Sequence, residues 1–371
     1  MLTNRSRRIR TIATCFAMAL ALVCGCSDKK KSKKVEEEIT PLTVQGLAAI
    51  PANASAVIGI DVAALVGSPI VARALERMFA RDPGLQAALS KVLADCRLDL
   101  KTDVASATIA LVPAKAEMVD SLLVARGRFN EGELVACLGK SLGAVAGGRL
   151  ETATFEGRSL YHQVGGDGPG LWFSFGSTDT VLISSGRGSL EASLGSGPKL
   201  AGATTGVAQY LGRADTKANL WAIGMIDPAV GAGLIAATGG QVKAPSAVVA
   251  TADLKHGLAL AADLQMTNEA DAKTLISQAR AQIKAAAMVL QIDSLGRMVQ
   301  KAELSADGHW ATLRWALNKE ELQDLLGANL SGIGTSDDVS RNDGSSIDNE
   351  GANDENPAPK SKTERETQDG N

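Results

Sequence analysis

The run Val248 to Asp253 (VVATAD), the turn Lys255-His256-Gly257, the run Leu258 to Leu264 (LALAADL) and the following Asn268-Glu269-Ala270-Asp271 decide the fold class. Alternation at period two marks both runs as half-buried strands, and the glycine turn between them marks a hairpin. Asn268 then offers a side-chain oxygen to an orphan backbone N–H at a helix start, and Asp271, three positions on, can reach back to the cap. The set Ile276, Ala279, Ile283, Ala286 and Leu290 repeats at helical spacing and predicts a helix laid on a core. Two heptads are too few for a coiled-coil seam.

The same cue recurs at Asn130 with Glu133 and at Asn318 with Glu321. Ala302 to Leu304 and Trp310 to Leu317 flank Asp307-Gly308, a second hairpin signal. Between Thr152 and Leu194 three strands are expected, Thr154 to Val164, Leu171 to Phe175 and Thr180 to Ser184, with Gly165 to Gly170 as a turn or exposed loop. Strands arranged as hairpins, instead of alternating strictly with helices, predict an α+β body with mainly antiparallel sheet and packed helices.

Two strand-like segments echo each other: Ala56-Val57-Ile58-Gly59-Ile60-Asp61 and Ala222-Ile223-Gly224-Met225-Ile226-Asp227. Each ends in an aspartate before a helix. They point to a duplicated strand-strand-helix module, residues 47–204 and 205–330, against the competing reading of chance likeness among Ala-rich and Val-rich segments. The helices that follow differ. Ile70, Val71, Ala74, Leu75, Met78 and Phe79 form an apolar stripe, whereas Pro228 to Thr238 is Gly-rich and weak. Residues 331–371 are Asp, Asn, Ser, Gly, Glu and Lys with little to bury, and a disordered, polar acidic tail is expected. Asp343-Gly344 with Glu350 has the outline of a calcium loop, but Val339 and Arg341 occupy ligand positions and the site is rejected.

The other end carries an address. Arg5, Arg7, Arg8 and Arg10 precede an uncharged stretch, Thr11 to Val23, and then Val23-Cys24-Gly25-Cys26. A basic segment, a short apolar segment and small residues at a cleavage point make an export signal. The apolar segment is too short to span a bilayer, which takes about 20 residues. Ser6-Arg7-Arg8 does not make a twin-arginine signal, because Arg10 and Thr11 stand where apolar residues belong. The segment resembles the lipobox of bacterial lipoprotein precursors, the kind cut by signal peptidase II. Cys24, in place of the usual Ala, Ser or Thr, departs from the pattern; Val23 and Gly25 match it. The resemblance implies removal of residues 1–25, acylation of Cys26 on its sulfur and new amino group, and attachment to the outer membrane facing the periplasm, with Ser27 as the sorting residue. Three acyl chains would make attachment effectively permanent. Residues 26–46, with Lys29, Lys30, Lys31, Lys33 and Lys34 before Glu36, Glu37 and Glu38, read as a charged tether that is either solvated or laid on anionic lipid. The layout of residues 47–330 also resembles uncharacterised predicted lipoproteins of Gram-negative bacteria, a likeness that carries no specific motif.

Loss of residues 1–25 removes four arginines and no acid, taking the formal charge from −3 to −7. A mildly acidic chain with 3% aromatic residues argues against nucleic acid as a partner. Cys15 and Cys24 leave with the signal and Cys26 carries lipid, so Cys96 and Cys137 remain as an even pair in an oxidising compartment. A bridge between them is the candidate disulfide, worth roughly 4 kcal/mol in the chain-entropy account. The alternative is two buried thiols, since Cys137 shares an apolar helix side with Leu134, Leu138 and Leu142.

No constellation for catalysis emerges. His162, His256 and His309 have no metal-ligand spacing, and His256 and His309 read as exposed turn residues. Gly186-Arg187-Gly188-Ser189 lacks the Lys-Ser/Thr ending of a phosphate loop, and Ser196-Gly197-Pro198-Lys199 has a Gly-Pro that opposes the helical turn a Ser-x-x-Lys pair needs. Among Trp172, Trp221, Trp310 and Trp315, Trp315 shares the parity of Leu313 and Leu317 and is expected in the core, while Trp310 has the opposite parity and is expected to be partly covered at the surface. The expectation is a lipid-anchored envelope protein with a non-catalytic binding or scaffold body, no cofactor, no metal, and an envelope protein as partner. The alternatives are a carrier or sensor for a small apolar ligand and, behind it, an envelope hydrolase.

Overall fold

The computed structural model describes residues 44–114, 118–146, 148–165, 170–237, 240, 242–289, 297, 298 and 300–327. The signal segment, Cys26, most of the tether, residues 166–169, the acidic tail and Asp343 to Glu350 lie outside them. Helix α1 (Val44–Leu47) leads to strand β1 (Ala56–Asp61), then to α2 (Val62–Val66), α3 (Pro69–Arg81), α4 (Pro83–Cys96) and α5 (Leu100–Asp103). Strands β2 (Val104–Pro113) and β3 (Val119–Gly127), helix α6 (Glu131–Ala146), strands β4 (Arg149–Phe155), β5 (Arg158–Val164), β6 (Trp172–Ser177) and β7 (Thr180–Ser184), and α7 (Arg187–Leu194) complete the first half. Two 3-10 segments, Leu200–Gly202 and Gly206–Arg213, cross to β8 (Leu220–Met225), α8 (Pro228–Ala237), β9 (Ala247–Asp253), β10 (Leu258–Gln265), α9 (Glu269–Val289), β11 (Glu303–Asp307), β12 (Trp310–Leu317) and α10 (Lys319–Gly327).

The twelve strands form one antiparallel sheet in the order β11-β12-β10-β9-β8-β1-β2-β3-β7-β6-β5-β4. This is the α+β body with antiparallel sheet that the hairpin pattern predicts. Strands β1 and β8 pair at its middle, and the order outward is the same on both sides: β1-β2-β3-β7-β6 on one, β8-β9-β10-β12-β11 on the other. The hairpin β5-β4 extends the first side. Val57 pairs with Ile223 at the centre, and both are fully buried. The sheet therefore runs unbroken across the 204/205 boundary, and the first strands of the two halves are each other's neighbours.

Because cross-strand partners share a face, one row runs from Asp263 through Val249, Ile223, Val57, Ala110, Leu122 and Ser184 to Trp172. That face is covered by Leu47, Leu190, Leu200, Val207 and Tyr210, from α1, α7 and the 3-10 segments. The opposite face holds Ile60, Ala107 and Ile109 under α2 to α5 through Val62, Leu75, Phe79, Leu93 and Leu100. It continues as Leu264, Leu304 and Ala311 under Ala272, Leu275 and Ile276 of α9. Both faces are thus buried over the central strands, which explains the near-continuous apolar run of β2.

The three asparagines cap as expected. Asn130, Asn268 and Asn318 accept through Oδ1 from the backbone N–H of Glu133 (3.1 Å), Asp271 (2.9 Å) and Glu321 (2.8 Å). The two echoed aspartates do the same: Asp61 accepts from Ala64 N (3.0 Å) and Asp227 from Val230 N (2.8 Å). Four differences stand out. The expected strand Thr154 to Val164 is two strands joined at Glu156-Gly157, whose φ values of 47° and 76° make the left-handed pair that a tight hairpin turn needs. Residues Val44–Gly46 of the expected tether lie in α1, which ends on buried Leu47. Helices α4 and α5 stand where no element is expected. Trp315 is half-buried, its indole N–H donating to Met298 O at 2.7 Å.

Candidate functional site

The candidate lipidation residue, Cys26, lies outside the described residues. The candidate disulfide pair does not. Cys96 is the last residue of α4, because Arg97 takes a left-handed φ of 53° and Leu98 N returns to Leu93 O at 3.0 Å, closing the helix. Cys137 lies two turns into α6, behind the Asn130 cap. The two cysteines are joined with Cα atoms 5.2 Å apart, pinning α4 to α6 on the outer side of the sheet. Ser141 of α6 adds a hydrogen bond to Asp95 Oδ2 at 3.0 Å, one turn along the same contact.

The densest polar constellation lies at the other end of the covered face and was not singled out by any motif. Asp263 of β10 is buried, with its side chain 6% exposed. Its Oδ1 accepts from Thr312 Oγ1 (2.7 Å) and Arg314 (3.0 Å), and its Oδ2 from Arg213 Nε (3.1 Å). Burial alone would raise the carboxyl, but the hydrogen bonds from Arg314 and Thr312 and the charges of Arg314 and Arg213 outweigh it and hold it below its ordinary range. Arg213 also stacks over Trp310 at 4.1 Å, and Tyr210 meets the same indole edge-on at 5.8 Å. Tyr210 OH donates to Gln265, which also takes a 2.9 Å bond from Ser246. Trp310 is half-buried, as its parity predicts. A lone acid midway along β10 and an arginine midway along the adjacent β12 are the sequence signal for this pairing. It is readable only once the two strands are known to be neighbours.

A carboxylate saturated in this way is a poor general base, and the two guanidiniums are turned inward to it. The other motifs are occupied too. Lys199 Nζ donates to the carbonyls of Ala192 and, at 2.7 Å, Ser193, closing the end of α7; burial pushes this ammonium down. It therefore tethers backbone and does not pair with Ser196. At the start of α7, Ser189 Oγ donates to Asp120 Oδ2 at 2.6 Å, and a Cβ on Gly186 would overlap that carboxylate. Asp120 thus fills the place where an imagined phosphate would sit. His162 stacks on Trp172 at 4.0 Å with Arg187 over the indole at 5.4 Å, while His256 and His309 are exposed in their turns. Among the described residues, no three His, Cys, Asp or Glu side chains gather as metal ligands. Trp221, fully buried, belongs to the core.

Compared with known protein families, curated proteins and solved structures, the chain matches none.

Proposed function

We propose that this chain is a lipid-anchored cell-envelope protein of the outer membrane, facing the periplasm, whose α+β body binds or scaffolds another envelope protein without catalysing a reaction. The observation that carries the reading is Val23-Cys24-Gly25-Cys26 after a basic and then an apolar segment. The pairing of Cys96 with Cys137 agrees with an oxidising compartment. The polar clusters of the body point the same way: Asp263, Asp120 and Lys199 are each neutralised or engaged by the fold itself, leaving these groups as structure and not as reactive side chains. An acidic body after signal removal fits a protein partner better than a nucleic acid.

Cys26→Ala tests the anchor. Metabolic labelling with an acyl chain is expected to mark the native chain and to vanish from the variant. A label that persists in the variant, or is absent from the native chain, overturns lipidation of Cys26. Crosslinking from the native envelope tests the scaffold, with a lipidated control protein as reference. A specific envelope protein enriched over that control supports it, and no enrichment overturns it.

A further inference from the structure

Five large apolar side chains are exposed among the described residues: Met118, Val119, Met225, Val230 and Ile235. All five belong to one end of the central strands. Strand β8 ends at Met225 where β1 begins, with Met225 N donating to Ser55 O at 2.8 Å. On the other side of β1, β2 ends and β3 begins, Pro113 facing Val119. Helix α8 starts three residues after Met225, so Val230 and Ile235 leave the sheet from that end.

Among the described residues, the opposite end of the same strands carries none of these five side chains. Arg126 pairs there with Asp179 at 3.0 Å, Arg128 with Asp103 at 3.8 Å and Lys255 with Asp253 at 3.4 Å. Strands of this length, with β2 spanning ten residues, separate the two ends by about 30 Å. The large exposed apolar side chains are therefore concentrated at one end of the strands, where exposed Asp227 and Lys243 also lie.

Helix α8 sharpens the contrast. From Pro228 to Gln241 the chain has no charged residue. Apolar helices are ordinarily buried, yet Pro228, Val230, Ala232, Gly233 and Ile235 are all exposed and Gly231 alone is buried among the residues of α8 whose burial is described. A Cβ at Gly231 would come within 2.8 Å of Ala244 Cβ, so the helix is seated on the body through that glycine while Val230, Ala232 and Ile235 stay exposed. Its counterpart after β1, α3, buries Leu75 and Phe79 and exposes Arg73, Glu76, Arg77 and Arg81.

The described chain begins with α1, which packs on β2, and enters β1 at this same end, at Ala56 beside Met225. We propose that Met118, Val119, Met225 and the exposed side of α8 form a membrane-docking surface that seats the body on the phospholipid bilayer holding the Cys26 acyl chains. The inference rests on the anchoring of Cys26 for its choice of a bilayer as occupant. A ten-residue helix is about 15 Å long, enough to lie among headgroups and too short to span.

The test uses the native lipidated chain in vesicles of phosphatidylethanolamine and phosphatidylglycerol. A polarity-sensitive fluorophore is placed by Val230→Cys or, as reference, by Lys255→Cys at the charged end. Headgroup-level nitroxide lipids are expected to quench the Val230 site at least about twofold more than the Lys255 site. Equal quenching at both sites on acylated, vesicle-bound protein overturns docking and leaves the anchor intact. Quenching at the Val230 site with no acyl mass on the N-terminal peptide supports docking and overturns the anchor alone. Shielding of the Val230 site that persists in lipid-free protein and tracks a crosslinked dimer makes a second copy the occupant and overturns the proposal. In the Cys26→Ser chain, Val230→Asp with Ile235→Asp is expected to lower vesicle co-sedimentation about tenfold. Unchanged co-sedimentation overturns the proposal.

Discussion

Trp221 lies over Gly59, its cross-strand partner at the centre of the sheet, and a methyl group built on Gly59 would overlap the indole. The glycine inside an otherwise apolar strand is there to admit the largest side chain of the core. The contact joins β1 to β8, and so joins the two halves of the body.

Gly59→Ala is accordingly expected to destabilise the fold by about 3 kcal/mol, the upper range for forcing a methyl group into a filled core. Trp221→Leu should recover part of that loss in the double variant, because the clash it relieves is the cause. Chemical denaturation followed by Trp fluorescence reads both. A Gly59→Ala chain as stable as the native one would show that the indole is free to move aside.

The bond between Cys96 and Cys137 closes a loop with a sequence separation of 41. Its removal by Cys96→Ala with Cys137→Ala is expected to cost roughly 4 kcal/mol through the unfolded chain. Denaturant midpoints with and without the bridge measure it, alongside a thiol count on the unfolded native chain. Two titratable thiols in air-oxidised native protein would contradict the pairing.

Asp263 predicts an acid limb of stability. Its folded carboxyl lies below the ordinary range, so it holds fewer protons folded than unfolded. Its contribution is full above about pH 4, the unfolded value, and is lost as pH falls through the lower folded value. Asp263→Asn should flatten this limb and cost about 3 kcal/mol at neutral pH, by leaving Arg213 and Arg314 without their shared acceptor. Stability curves from pH 2 to 7 that run parallel for the two chains would remove Asp263 from this role.

The cap on α6 controls the helix that carries Cys137. Asn130→Ala should cost about 1 kcal/mol, and Asn130→Asp should restore most of it, since a carboxylate accepts the Glu133 N–H equally well and faces the positive helix end. Failure of Asp to rescue would mean that the loss has another origin.

Short-range signals served well here. The caps at Asn130, Asn268 and Asn318, the hairpins around Gly257 and Gly308, and the aspartates closing β1 and leading out of β8 each depend on residues within a few positions of one another. The turn at Glu156-Gly157 is equally local, but Glu-Gly is a weaker hairpin signal than the Asn-Gly or Asp-Gly pairs that favour two left-handed residues. In α4 the signal is local as well, since Leu85, Leu89, Val92, Leu93 and Cys96 recur at helical spacing after Asp82-Pro83, whereas the four-residue α5 is too short to show a period.

The α+β class, the hairpins around Gly257 and Gly308 and the helix starts at Asn130, Asn268 and Asn318 are written in the chain, because period, turn chemistry and capping act over fewer than about ten residues. The pairing of β1 with β8, the gathering of Arg213, Thr312 and Arg314 on an aspartate 49 to 51 positions away, and the collection of Met118, Val119, Met225 and α8 at one end came from folding. Strand order and chain direction bring such residues together, and no local pattern carries that information.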